Sequence, residues 1–200
     1  MQQTHRVVRQ VQPLAMNLCH SKLTDWGLTH ITVKPNDTIL DTGCGGGRTI
    51  SKLATLATDG KVYGIDHSEA SVASCRKTNA KWMAMGRVDI QQGSVSRLPF
   101  ADNTFDLITA VETHYFWPDL SADMREVLRV LKPGSQLLIM EAYRGGKHDK
   151  FISKLTELTN MAVLIVKEHE ELFTTNGYQD VRIADNYEKG WLCGLGRKPL

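Results

Sequence analysis

The sequence has few cysteines and little net charge. Its four cysteines, Cys19, Cys44, Cys75 and Cys193, stand far apart and form no Cys-x-x-Cys pair. This spacing argues against a disulfide framework or a zinc site and is typical of reduced thiols in a cytosol. The net charge of +2 provides no basic field that would attract nucleic acid. We therefore expect no nucleic-acid partner.

Long apolar runs are also missing. The longest one, Met161 to Val166, is far too short to span a bilayer, and the first residues lack the apolar core of a signal peptide. We therefore expect a cytoplasmic protein that does not enter a membrane. The 200 residues are 42% hydrophobic, which suits one domain with a sizeable core. We expect a helical cap over residues 1–36 and a core over residues 37–200.

The sequence does contain a regular alternation of strand and helix signals. The β-rich runs fall at residues 38–41, 61–66, 87–91, 104–111 and 136–141. Helical patterns fall at residues 21–31, 48–57, 68–85, 120–131, 151–166 and 168–174. Such alternation predicts a parallel sheet covered by helices. The chain then ends in an expected antiparallel hairpin of residues 179–184 and 190–196.

The first expected strand ends in an acid and enters a glycine-dense turn, Asp41 to Gly47. Glycine tolerates positive φ and has no Cβ, so backbone in such a turn can approach a ligand closely. The amides that open the following helix can hold a carboxylate or a phosphate. The turn does not fit the dinucleotide pattern Gly-x-Gly-x-x-Gly, because its third glycine position falls on Arg48 or Ile50. It is not a P-loop either, since no Gly-Lys-Ser/Thr follows.

Further motifs occur later in the chain, and together with this loop they form an ordered set. In chain order they are Asp41-Thr42-Gly43-Cys44-Gly45-Gly46-Gly47, Asp66, Leu98-Pro99-Phe100, Phe105-Asp106-Leu107-Ile108 and Arg129-Val130-Leu131-Lys132-Pro133-Gly134. Over residues 38–196 the chain resembles class I S-adenosylmethionine-dependent methyltransferases of the small-molecule type, similar to the ubiquinone/menaquinone biosynthesis group. The resemblance implies a Rossmann-like α/β fold with seven strands in the order 3-2-1-4-5-7-6. Strand 7 should be antiparallel, and helices should cover both faces.

The resemblance also implies a methyl donor and the residues that bind it. S-adenosylmethionine would be the donor, S-adenosylhomocysteine the product and a small molecule the acceptor. The expected donor-binding residues are Asp41, Thr42, Gly43, Cys44, Gly45, Asp66, His67, Ser94, Val95 and Val111. Asp66 would accept the ribose hydroxyls, although an acid there also favours the dipole of the next helix. Ser94 stands where relatives often have an acid for the adenine, and His67 suits either the adenine face or a half-exposed turn.

The segment after the fourth expected strand carries the candidates for proton transfer. His114 and Tyr115 lie at the carboxyl edge of the sheet, where open α/β folds bind ligands, and either side chain can take a proton from an acceptor. The alternative is that these rings pack in the core. Alignment of donor and acceptor alone can supply about 7–11 kcal/mol, so a dedicated base is optional.

The sequence has no recognisable cluster of metal ligands, so we expect no metal. It also lacks the Asn/Asp-Pro-Pro-aromatic motif of DNA amino-methylating relatives. Two alternatives stay open beside the methyltransferase: a module that binds S-adenosylmethionine without turnover, and a dinucleotide-dependent reductase.

Overall fold

Seven strands form one mixed sheet within residues 22–159 and 161–200, the residues that the computed structural model describes. The strands are β1 (Thr38–Thr42), β2 (Lys61–Asp66), β3 (Val88–Gln92), β4 (Phe105–Val111), β5 (Leu131–Ala142), β6 (Gln179–Asn186) and β7 (Trp191–Arg197). Their order is β3-β2-β1-β4-β5-β7-β6. Strand β7 runs antiparallel to both of its neighbours, β5 and β6, and the other neighbouring pairs are parallel. The expected strand order, the antiparallel seventh strand and the terminal hairpin are confirmed.

Helices cover both faces of this sheet. They are α1 (22–28), α2 (Arg48–Leu56), α3 (Glu69–Thr78), α4 (Ala80–Ala84), α5 (Leu120–Val130), α6 (Asp149–Thr159) and α7 (Val166–Thr175). Successive strand residues point to opposite faces, so Ile39 packs in one apolar core and Leu40 in the other. The first core contains α1, α2 and α3, and the second contains α5 and α7. Helices α1, α2, α3, α5 and α7 thus pack apolar residues against the sheet, whereas α4 and the described residues of α6 bury no side chain fully.

The expected helix over residues 68–85 is divided in two at Asn79. Ser68 caps α3 as expected, because its Oγ accepts a hydrogen bond from the amide of Ser71. At the other end, Nδ2 of the fully buried Asn79 donates to the carbonyl of Gly47 at 2.9 Å and to that of Cys75 at 3.0 Å. This side chain therefore fastens the end of α3 to the glycine turn.

Two other expected boundaries were wrong by five residues or more. The helix expected over residues 151–166 ends at Thr159, and α7 begins separately at Val166. Strand β5 begins at Leu131, five residues earlier than expected, because the chain becomes extended as soon as α5 ends. The register of β4 against β5 shifts between Phe105 and Leu107 to accommodate this start.

Helix α1 packs on the sheet beside β5 and β7. Leu23 is 1% exposed in the first core, Trp26 contacts the ring of Trp191, and a Cβ on Gly27 would lie 2.2 Å from Sδ of Met140. Residues 1–21, which include most of the expected cap, lie outside the described residues. Among the residues that are described, no helix is both long and apolar enough to cross a membrane.

Candidate active site

A cavity of about 840 Å³ opens at the carboxyl ends of β1, β2, β3 and β4. This is the edge where open parallel sheets bind ligands, and the volume is that of a small-molecule site. Most of the expected donor-binding residues line it: Asp41, Gly43, Cys44, Gly45, Asp66, His67, Ser94, Val95 and Val111. The structure therefore brings residues from four separate segments to one cavity, and their role in binding stays a prediction.

The glycine turn is held in shape by the protein itself. The amides of Gly43 and Cys44 donate to the carbonyl of Ile65 at 2.8 and 3.0 Å. Gly43 has φ +72°, and a Cβ at this position would lie 2.0 Å from Oγ1 of Thr113. A side chain at residue 43 would therefore meet both backbone strain and a clash. Because these amides bond within the protein, the turn does not need a ligand to keep its shape.

Asp41 lies beneath this turn, 2% exposed. Its Oδ1 accepts a hydrogen bond of 2.6 Å from Oγ1 of Thr109. Burial raises the pKa of Asp41 to about 7, a shift that the Thr109 hydroxyl opposes and the nearby Asp66 carboxylate reinforces. A cation bound in the cavity beside Asp41 would favour its ionised form.

Asp66 has a different environment at the end of β2. Its Oδ2 accepts from the amide of Gly45 and its Oδ1 from the amide of Ser68, both at 2.9 Å. A carboxylate has about four lone-pair sites, so it can still accept hydroxyls from the cavity. The contact with Ser68 places Asp66 at the start of α3, so it also fits the helix-dipole alternative. His67 beside it has an 87% exposed side chain, with Nδ1 3.6 Å from Oδ1 of Asp66.

The loop after β3 and the end of β4 form the remaining walls of the expected donor site. Ser94 is exposed, and its Oγ accepts from the amide of Ser96 at 3.2 Å. Its hydroxyl hydrogen remains available to a ligand. Val95 is 9% exposed and Val111 is partly buried, so both offer apolar surface to the cavity.

Three expected site residues are not among the described residues that line the cavity. Thr42 is fully buried, and its Oγ1 donates to the carbonyl of Thr109 at 3.0 Å, which ties β1 to β4. His114 is also fully buried and Tyr115 is 8% exposed. They begin a 3-10 helix, His114–Phe116, that packs beneath the cavity wall. Proton transfer by His114 or Tyr115 stays a prediction, without direct contact with the cavity to support it.

His114 belongs instead to a buried triad with Glu141 and His169, which sequence analysis did not find. Nδ1 of His114 lies 2.5 Å from Oε2 of Glu141, a distance that suits an ion pair although the angle does not suit a hydrogen bond. Nε2 of His169 lies 2.6 Å from Oε1 of the same carboxylate, and its Nδ1 lies 2.9 Å from the carbonyl of Ile165. The side chains of all three are fully buried. Nε2 of His114, by contrast, is buried and has no hydrogen-bond partner among the described residues.

The charges of this triad stabilise one another. Burial acts to raise the pKa of Glu141, but the two histidines hold it below its usual value. Burial acts to lower the pKa of His169, but the Glu141 carboxylate raises it. Histidine and glutamate are residue types that bind metals, and each of the three side chains offers a ligand atom within 4.8 Å of the others. That no metal takes part stays an expectation.

Glu112 is a further residue that the sequence did not single out as part of the site. It follows β4 directly, lines the cavity and is partly exposed there. Its Oε2 accepts from the hydroxyl of Tyr115 at 2.6 Å, and its Oε1 accepts from the amide of Ala142 at 2.7 Å. Burial raises the pKa of Glu112 to about 7; Glu141 adds to the shift, and the two hydrogen bonds oppose it. The available signal was its position at a strand end.

A comparison with protein families matches residues 33–186 to the model described as a methyltransferase domain. An O-methyltransferase of Pyrenophora dematioidea is 30% identical over 173 residues, which cover 85% of this chain and 64% of that protein. A demethylmenaquinone methyltransferase of Symbiobacterium thermophilum is 37% identical over 110 residues, which cover 54% and 44% of the two chains. The chain thus spans less than two thirds of the length of either relative.

Solved structures show the same fold. A methyltransferase from Haloferax volcanii, in complex with the Trm112 activator, covers 93% of both chains at a TM-score of 0.78 and 20% identity. An S-adenosylmethionine-dependent methyltransferase from Aquifex aeolicus matches 86% of this chain and 88% of its own, with a TM-score of 0.70 and 21% identity. The chain belongs to the methyltransferase domain family. The recognition of a class I S-adenosylmethionine-dependent methyltransferase, made from the motifs, is confirmed.

Proposed function

We propose that this protein transfers a methyl group from S-adenosylmethionine to a small-molecule acceptor. The observation that carries the proposal is the cavity, where the glycine turn, Asp41 and Asp66 meet at the carboxyl edge of a methyltransferase-domain sheet. The bound donor supplies an activated methyl on a sulfonium. The protein then has to align an acceptor with that methyl, and alignment of this kind can supply about 7–11 kcal/mol.

The residues present fit such a donor. The shape of the glycine turn and the buried Asp41 suit the methionine end, whose ammonium a carboxylate would neutralise. Asp66 retains lone pairs for the ribose hydroxyls, and His67, Ser94 and Val95 line the cavity where an adenine would follow. These placements extend the family resemblance to individual residues and are proposals.

The acceptor side is supported by the aromatic wall and by relatives. Phe116 and Trp117 line the cavity after β4, and such rings suit a flat acceptor. One relative is named for demethylmenaquinone and another as an O-methyltransferase, which makes quinols and phenols the first acceptors to try. A cytoplasmic location, the absence of nucleic acid, membrane and metal from the reaction, and the cap over residues 1–36 remain parts of the proposal.

Calorimetry with S-adenosylmethionine tests the donor. We expect binding in the micromolar range that Asp66→Ala weakens strongly, because it removes the proposed ribose contact, while the exposed Glu171→Gln leaves it unchanged. If the wild-type protein does not bind S-adenosylmethionine, the proposal is contradicted, and binding of NADH instead would favour the reductase.

A transfer assay separates the enzyme from a binding module. The protein is incubated with a methyl-labelled donor and, in turn, 1,4-naphthoquinol, catechol and histamine, followed by an extract of cell metabolites. We expect label to enter at least one acceptor. Tight donor binding without transfer to any of them would support the binding module.

A further inference from the structure

We propose that Glu112 is the general base of the reaction: its carboxylate receives the proton of a hydroxyl or amine acceptor as that atom takes the methyl group. The inference rests on the proposed function and adds to it a catalytic residue and a class of acceptor. It selects acceptors whose nucleophilic atom carries a proton.

The position of Glu112 along the cavity is the first support. Its neighbour Thr113 contacts the glycine turn, since Oγ1 and Cβ of Thr113 occupy the space where a Cβ on Gly43 would lie. Phe116 and Trp117, which follow in the same segment after β4, also line the cavity. Glu112 therefore belongs to the one segment that both contacts the glycine turn and carries the aromatic rings proposed for the acceptor.

The carboxylate is held in place from two elements. The amide of Ala142, at the end of β5, donates to Oε1, and the hydroxyl of Tyr115, in the 3-10 helix, donates to Oε2. These two bonds occupy two of about four lone-pair sites. The remaining sites and the exposure to the cavity leave the group able to accept one more proton donor. Because this carboxylate is held in place but still has free lone pairs, it is better suited to act as a general base than to a purely structural role.

The backbone supports the same conclusion. Glu112 has φ +53°, in the left-handed region that residues other than glycine rarely adopt. Its amide nevertheless donates to the carbonyl of Met140 at 2.8 Å, so the chain turns while still bonded to β5. Strained conformations of this kind persist where the surrounding structure enforces them, and they cluster at active sites.

The charges around Glu112 match the role. With a pKa raised to about 7, chiefly by burial, the carboxyl is close to the value at which a base works best near neutral pH. The groups that face it are the Tyr115 hydroxyl, the Ala142 amide and the carboxylate of Glu141, which itself pairs with His114 and His169. These are the groups that set the pKa of Glu112. Removing the Tyr115 hydroxyl is therefore a way to shift the pKa of Glu112 alone.

The proposed step balances as follows. The lone pair of the acceptor oxygen or nitrogen forms a bond to the methyl carbon, and the bond from that carbon to the sulfonium sulfur breaks, with its electron pair staying on sulfur. The proton of the acceptor moves to Glu112, which later releases it to solvent. No oxidant or further reactant is needed.

The test compares Glu112→Gln, Tyr115→Phe and the control Glu171→Gln in the transfer assay with the naphthoquinol, catechol and histamine probes. Glu112→Gln should lower kcat by about 10²- to 10⁴-fold and leave S-adenosylmethionine affinity unchanged. The wild-type rate should rise with pH and level off with a midpoint near 7. Tyr115→Phe should move this midpoint to higher pH, because the hydroxyl that lowers the Glu112 pKa is gone, and a structural role for Tyr115 would not do this.

A second measurement covers the case in which no probe is methylated. In protein labelled with ¹³C at the glutamate side-chain carboxyl, the resonance that Glu112→Gln removes should titrate near pH 7 and shift when catechol is added to the S-adenosylhomocysteine complex. Glu112→Gln with the wild-type rate and pH profile, or a Glu112 resonance that titrates near the usual pKa of 4.5, would overturn the inference. Loss of wild-type donor binding would instead contradict the proposed function.

Discussion

Asp41 and Asp66 end adjacent parallel strands, yet their surroundings differ. Asp41 is almost fully buried and accepts one hydrogen bond from a hydroxyl. Asp66 accepts hydrogen bonds from two backbone amides. Burial raises the pKa of Asp41 to about 7, so the charge of Asp41 depends on what binds beside it. The two backbone amides instead fix the orientation of Asp66.

This difference predicts a pH dependence of donor binding. A donor ammonium favours ionised Asp41, so affinity should rise as pH passes through about 7 and level off above it, with a proton released on binding at lower pH. Asp41→Asn should bind more weakly and lose this dependence, while the exposed Asp59→Asn keeps it. Calorimetry from about pH 5.5 to about pH 8.5, in buffers that differ in ionisation enthalpy, measures both effects. A wild-type affinity that is flat over this range would contradict the role of Asp41.

At the scale of elements, the glycine turn depends on contacts from two other segments. Thr113, after β4, fills the space beside Gly43. Asn79, at the end of α3, donates to the carbonyl of Gly47, which caps α2. The turn is thus fixed by elements that are far apart in sequence, and a change in it should affect folding as well as binding.

The prediction at this scale compares two glycines of the turn. Gly43→Ala should lower the free energy of unfolding by at least about 1–2 kcal/mol, the cost of placing a Cβ in left-handed backbone, because the new Cβ also meets Oγ1 of Thr113. Gly46→Ala is the matched control, since its φ is not positive and the nearest atom to a Cβ there, Oγ of Ser74, lies 3.9 Å away. Urea unfolding measures both variants. Equal stability of the two would show that the turn relaxes freely.

Across the whole molecule, elements whose structure follows from their own local sequence pattern were predicted correctly. Strand β2 was predicted with its observed bounds, and the glycine turn followed from its own composition. The triad of His114, Glu141 and His169 was not foreseen, because it joins the segment after β4 to β5 and α7. The bond between Glu112 and Tyr115 depends on the 3-10 turn after β4, which the sequence did not predict. Asn79 shows the same limit, since the partner that makes it interrupt a helix is Gly47, 32 residues away.

The buried charges also predict how the stability of the folded state depends on pH. The pKa values of Asp41 and Glu112 are raised to about 7 from 3.8 and 4.5. Between these limits the folded state holds more protons than the unfolded chain, so stability falls as pH rises, by about 1.4 kcal/mol per pH unit for each extra proton. His169, with its raised pKa, contributes stability that is complete below about 6.5 and is lost at higher pH. Glu141, with its lowered pKa, contributes stability that is complete above about 4.5 and is lost in acid.

The ligand-free protein should therefore be most stable near about pH 4.5 and should lose stability as the pH rises from there towards about 7. Urea unfolding at a series of pH values measures this curve. Asp41→Asn and Glu112→Gln should each flatten the decline on the neutral side, because each removes one proton that the folded state retains. A stability that keeps rising from pH 5 to pH 8 would mean that both carboxyls are already ionised in the folded protein, and it would count against the proton-accepting role of Glu112 as well.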